Sequence, residues 1–247
     1  MASKYLLWKY RDVRPDQPRE LTDKEKRANW WYYHKWHVVI GIVLVLALGT
    51  IIWSALGIGR VLPDYQLAYV GGSSLPADTV SALENAIARL GTDANGDGQV
   101  VVKVNQFVTG GGSGDANAAM YAYASAAAVM ADLSSCESYF FLLEDPDTFQ
   151  RNYQALSRLD GTLPTDFDRD CESCYLSWAD CPALAGLDLG SYSETLPGGT
   201  ISGDSQELLS RLYIARRGFW TGKTVKNPDE CNALWEELTK GRPGPRT

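Results

Sequence analysis

The stretch "SYFFLLED", residues 138–145, is apolar from Tyr139 through Leu143 with no alternation of polar and apolar positions. A strand that reads this way is covered on both faces, which is the habit of inner strands in sheets flanked by helices. The segment is therefore read as the centre of a sheet. Its neighbours are then judged by whether they can cover it.

Immediately before it, the alanine-rich run from Asp115 to Leu133 predicts a helix opened by Asp115, with small side chains suited to close packing on a sheet. Further back, "QVVVKVNQF" (99–107) and "YQLAYVGG" (65–72) read as strands, the second ending in Gly71 and Gly72. Between them a helix is expected from about Pro76, because Val80, Leu83, Ile87 and Leu90 are spaced by three and four and Gly91 stops the run. After the central strand, "PDTFQRNYQAL" (146–156) opens with proline and predicts another helix. Strand and helix alternate, so the fold class is α/β, a mainly parallel sheet with helices on its faces.

The remainder is less regular. From Asp160 to Gly203 turn formers dominate, which marks either a functional excursion or strands that the pattern hides. "SQELLSRLYIARRGFW" (205–220) returns to order without a period that separates helix from strand. "NPDECNALWEELTKG" (227–241) predicts a last helix, and "RPGPRT" (242–247) a disordered tail.

Ahead of this domain lies "NWWYYHKWHVVIGIVLVLALG", residues 29–49. No charged residue occurs from Val38 to Gly59, and 22 helical positions reach roughly 33 Å, enough for a hydrocarbon core of about 30 Å. The polar lead of 37 residues is too long for a cleaved signal peptide, so the segment is expected to stay as a single-pass anchor. Nine of the 23 Lys and Arg precede it, and only Arg60 follows within the next 28 residues. The bias predicts a cytoplasmic segment at 1–37, a transmembrane helix at 38–59 and an extracellular domain at 60–241. Trp30, Trp31, Tyr32, Tyr33 and Trp36 fit the aromatic belt of a membrane interface. His34 and His37 sit at i and i+3, but no Cys and no third His joins them on that side, so they are read as part of the belt rather than as metal ligands.

Charge narrows the partners. With 14 of the 23 cations and 25 of the 30 acids downstream of Gly59, the outer part carries a net charge of −11. Nucleic acid is excluded as its partner, since phosphate binding needs clustered cations. All five cysteines, Cys136, Cys171, Cys174, Cys181 and Cys231, also lie there. Cys171 and Cys174 have the CxxC spacing of a zinc ligand pair, but the outer part has no histidine and no second CxxC, which leaves disulfides or thiols.

Two places are candidates for ligand contact. "DANGDG" (93–98) sets Asp93, Asn95 and Asp97 at alternate positions before Gly98, and the Gln99 carbonyl adds a fourth oxygen, a set that suits a structural Ca2+. The twelfth position is Val104, without the bidentate carboxylate of an EF-hand, and the same residue types build a simple turn. The second place is the carboxyl edge of the sheet, where open α/β sheets bind ligands. There the sequence puts Gly71, Gly72, Ser73 and Ser74, then Thr109 with the glycines of 109–115, then Glu144 and Asp145, which equally suit the cap of the following helix. "DFDRD", with Asp166, Asp168 and Asp170, reads as a solvated acidic loop. With no outer histidine, Ser-His-Asp and Cys-His catalysis are excluded.

In the order "YYHKWHVVIG", "YQLAYVGG", "DANGDGQVVVKVNQF", "SYFFLLEDPDTFQ" and "LYIARRGFW", the chain resembles uncharacterised single-pass membrane proteins of Gram-positive, clostridia-like bacteria. That likeness implies a membrane protein and brings no catalytic residues with it. The order of strands and the small-residue helix also looks like the first lobe of an extracellular solute-binding protein, a class that closes two lobes around a ligand. The resulting expectation is a membrane-anchored extracellular module, in contact with membrane lipid, that binds a small ligand or a surface or membrane protein. A structural component of a membrane complex is the second expectation, and a carboxylate-based hydrolase the third.

Overall fold

A computed structural model describes residues 21–55, 62–110, 116–165, 171–196, 199–219 and 222–242. The chain divides into two units, Met1–Arg60 and Val61–Thr247. The acidic loop at Asp166, Asp168 and Asp170, the glycines after Gly110 and the tail beyond Arg242 lie outside the described residues.

In the first unit, among the described residues, one helix, α1 (Asp23–Ala55), is long and apolar enough to cross a membrane. It begins well before the apolar run. Thr22 and Glu25 stand at capping-box spacing, and the Thr22 amide and hydroxyl both donate to Glu25 Oε2 at 2.9 Å. The helix therefore carries the aromatic belt as one continuous surface, with Trp30 stacked on His34 at 4.9 Å. Its long apolar side chains are exposed, Val45 and Leu46 among them.

The second unit is a mixed α/β fold. Strands β1 (Tyr65–Gly71), β2 (Val102–Val108) and β3 (Phe140–Leu143) are parallel and are joined by helices α2 (Ala77–Ala88) and α3 (Ala116–Ser135). Helix α4 (Pro146–Tyr153) follows β3, with Pro146 in its first turn. Next come β4 (Tyr175–Ser177), a short α5 (Pro182–Ala185), the hairpin β5 (Ser191–Leu196) and β6 (Gly199–Asp204), a short α6 (Ser205–Leu209), β7 (Tyr213–Arg216) and α7 (Pro228–Leu238). The sheet order is β2-β1-β3-β7-β4, with β7 antiparallel to both neighbours. The sheet is mainly parallel as expected, four of its five strands running the same way and β7 alone reversed. Its irregular stretch hides a real strand and a separate hairpin, too short or too polar for the apolar pattern to register.

The central position of "FFLL" is as expected, and its four residues are at most 1% exposed. Alternate side chains feed two cores. Phe140 and Leu142 join Leu67, Tyr69 and Ile214 beneath Leu83 and Ile87 of α2 and Leu234, Trp235 and Leu238 of α7. Phe141 and Leu143 join Ala68, Val70 and Ala215 beneath Val129 of α3 and Phe149 of α4.

Two consecutive arginines, the last residue of β7 and the one after it, tie the layers together. Arg216 donates to the Leu159 carbonyl at 2.8 Å and lies over the Trp235 ring at 5.4 Å. Gly161, at φ +89°, leaves it room, because a Cβ there would stand 2.9 Å from the guanidinium. Arg217 turns to the other face and donates to the carbonyls of Ser138 and Leu133, the latter in the last turn of α3. Asp132 of α3 faces it at 3.8 Å and accepts from Ser138 Oγ at 2.7 Å.

Substituting Phe140 or Phe141 by Ala should each cost about 3–5 kcal/mol, whereas Ile201→Ala on the exposed hairpin should stay within about 0.5 kcal/mol. Denaturant unfolding of the full chain in detergent, followed by near-UV circular dichroism, measures the difference.

Candidate functional site

At the carboxyl edge of the sheet the structure brings together most of the residues that the sequence assigned to ligand contact. Glu144 leaves the end of β3 and reaches across β1. Its Oε2 accepts the Gly72 amide at 2.7 Å, and its Oε1 accepts the Tyr69 hydroxyl at 2.7 Å. That hydroxyl also lies 2.8 Å from the Ser73 carbonyl. Thr109 joins from β2, its amide donating to the Gly71 carbonyl at 2.8 Å. Gly110 then passes so close to Gly72 that a Cβ would fall 2.2 Å from the Gly72 carbonyl oxygen, a contact that only glycine permits. Ser74 is exposed beside this knot, and Asp145 caps α4 by accepting the Thr148 amide at 3.0 Å.

The edge is therefore a braced turn whose carboxylate already has partners in both oxygens. Tyr69, which the sequence reading passed over as a strand residue, is its keystone. Desolvation first, and then the hydrogen bond and charge of Glu144, push the Tyr69 phenol well above its ordinary value.

At the opposite edge, Asp93, Asn95 and Asp97 turn their oxygens onto their own loop. Asp93 accepts the Gly98 and Gly96 amides at 2.8 and 2.7 Å, Asn95 the Asp97 amide at 2.8 Å, and Asp97 the Gln99 amide at 2.9 Å. The Gly98 amide, then that of Gly96, hold the Asp93 carboxyl below its ordinary value. Buried Asp64, just before β1, fastens the loop by accepting the amides of Ala94, Asn95 and Val101 at 3.0, 2.9 and 2.8 Å. Among the described residues no group of three His, Cys, Asp or Glu side chains is arranged to hold a metal.

The cysteines are buried. Cys136, Cys171, Cys181 and Cys231 are free thiols, and Cys174 is buried with them. Burial pushes the thiols of Cys171 and Cys231 up to about 12 and that of Cys181 up to about 11.

A further surface stands out that the sequence reading treated only as sheet cover. Helix α3 is fixed to the sheet by its C-terminal turns, through buried Val129 and Asp132 and half-buried Leu133. Lys223 Nζ adds a bond to the Ser134 carbonyl at 2.7 Å, a cation at a helix C-terminus. On its outer side the helix is exposed, with Met120 at 69%, Tyr121 at 72% and Tyr123 at 80% toward its start and Met130 at 56% further along. Beside it an open cleft of about 500 Å3 separates α3 from the edge strand β2, lined by Asn105, Phe107, Ala128, Ala131, Asp132 and Glu137. The signal was present in the sequence as a helix of 20 residues whose single charge, Asp132, points inward.

Neither a family model, nor a curated protein, nor a solved structure matches this chain.

Replacing Glu144 by Gln should lower the Tyr69 pKa, because the charge and acceptor that favour the phenol are gone, while desolvation keeps it above that of free tyrosine; ring-carbon NMR titration follows it. The buried thiols should resist iodoacetamide at about pH 8 in the folded chain and react once it is unfolded. Since unfolded thiols ionise near 9.0 and these folded ones only near 11–12, the folded state binds more protons above 9.0, and stability should fall as pH rises through that window.

Proposed function

We propose that this chain is a membrane-anchored docking module. In this reading α1 crosses the bilayer with residues 1–37 on the cytoplasmic side, and the α/β unit presents α3 to a protein outside. The observation that carries it is the exposed, uncharged face of α3 around Met120, Tyr121, Tyr123 and Met130. A contiguous apolar surface on a unit that is otherwise acidic is the usual mark of a protein contact.

A small ligand at the carboxyl edge is less favoured. It would have to displace the Gly72 amide and the Tyr69 hydroxyl from Glu144, both held at 2.7 Å. Binding there would begin by breaking charge-assisted hydrogen bonds, which are the stronger kind.

The test places a photo-crosslinking phenylalanine analogue at Tyr123 of the full chain in its native membrane, with Ile201 of the hairpin as control. A protein adduct from position 123 and none from 201 is expected. If position 123 yields no protein adduct while the chain remains membrane-integrated, the docking reading fails.

A further inference from the structure

The face of α3 has an internal order beyond its apolarity. At 100° per residue, Met120, Ala124, Ala127 and Ala131 fall on one line, spaced by four, three and four, on the side opposite buried Val129. This is the 3.5-residue period by which one helix seats on another at a shallow crossing angle. Tyr123 and Met130 flank the line on one side, Tyr121 and Ala128 on the other. From Ala119 to Met130 no described side chain bears a charge.

The line is also self-complementary. A two-fold axis midway between Ser125 and Ala126 sets an antiparallel copy so that Met120 meets Ala131 and Ala124 meets Ala127 along the line, with Tyr123 beside Met130 on one flank and Tyr121 beside Ala128 on the other. Large side chains face small ones in two of these pairs, Ala124 and Ala127 meet as two small ones, and Tyr123 with Met130 joins an aromatic ring to a thioether, a favourable contact. Such reciprocity is what an isologous dimer interface requires.

Charge selects the same partner. The outer part carries a net charge of −11, so two copies repel over most of their surfaces. Helices α2, α4 and α7 each bear acids, at Asp78, Asp147 and Asp229 among others, whereas the exposed side of α3 bears none. A bilayer surface fits poorly, because a helix lying in a headgroup layer carries Lys and Arg along its polar face and α3 has neither.

We infer that the docked partner of α3 is a second copy of this chain, paired antiparallel through Met120, Ala124, Ala127 and Ala131. The inference rests on the docking reading and names its partner. A helix of 20 residues is about 30 Å long, and a strip about 15 Å wide along it offers roughly 450 Å2 per copy. The resulting total of roughly 900 Å2 is close to the minimum of about 1,000 Å2 for a specific interface. Two anchors confined to one membrane raise the effective concentration enough for so small a contact to hold.

Disulfide trapping in native membranes tests this. The double variant Ala124→Cys with Ala127→Cys, oxidised by copper phenanthroline, should run at twice the chain mass, while the parent chain and Ile201→Cys remain single. Ala124→Glu should reduce the dimer, read by amine crosslinking, at least tenfold with circular dichroism unchanged, and Ala124→Ser should keep most of it. A dimer that survives Ala124→Glu pairs through some other surface and overturns the inference. Absence of the disulfide dimer together with a Tyr123 photo-adduct to a different protein also overturns it while leaving the docking reading intact. Adducts to lipid alone, or none, overturn both.

Discussion

Arg217 is where three parts of the α/β unit are joined. Its amide donates to the Tyr139 carbonyl beside the central strand at 2.9 Å, and its guanidinium holds the carbonyls of Ser138 and Leu133 while facing Asp132 at 3.8 Å. Both charges are almost wholly buried. Burial raises the Asp132 carboxyl and lowers the Arg217 guanidinium from their ordinary values, so each is costly alone and tolerable only with the other. The pair does more than hold charge. It fixes the end of α3 against the sheet, and the first half of that helix forms an arm whose inner face carries only half-buried small side chains, Ala122, Ser125 and Ala126.

The same attachment explains why α3 needs so few buried residues. A surface helix ordinarily buries a stripe along its whole length. Here full burial is confined to Val129 and Asp132, near one end, Ala122, Ser125 and Ala126 continue the stripe only as half-buried small side chains, and the clamp of Arg217 and Lys223 on the last carbonyls adds to their contacts. Alanine suits the exposed turns because it has the highest helix propensity and needs no packing partner to remain helical. Methionine and tyrosine, placed among those alanines at exposures of 56–80%, gain nothing from local packing and are intelligible as contacts for something else.

How far the sequence could be read follows from the physics of each signal. The strand "FFLL" was legible because burial on both faces leaves a pattern that depends on no distant residue. The helices opened by Pro76 and Pro146 were legible for the same local reason. Strand β7 was not, since "LYIARR" can serve a helix or a strand until β3 and β4 are in place beside it. The roles of Asp64, Tyr69 and Arg217 depend on partners 30, 75 and 84 positions away, distances at which no spacing rule operates. The capping-box spacing of Thr22 and Glu25 is different. It is a local motif that stood in the sequence, outside the apolar run that held attention, and it moves the helix start to Asp23. Gly71, Gly72, Thr109 and Glu144 do lie together at the carboxyl edge, yet spacing alone does not reveal that Glu144 spends both oxygens inside the protein.

On the proposed reading, anchor and docking face form one device. An interface near 1,000 Å2 is marginal between freely diffusing proteins, and the acidic unit adds repulsion at long range. Confinement to a membrane changes the balance without adding a contact, because the second encounter becomes nearly intramolecular. Repulsion between the acidic flanks then acts as a filter, since at an ionic strength of about 0.15 M it is screened beyond about 8 Å and penalises only close approaches through the wrong surface. The uncharged arm is the approach it leaves open. A larger or more apolar face would pair without the membrane, and a charged one would not pair at all, so the modest composition of α3 is what makes association conditional on the anchor.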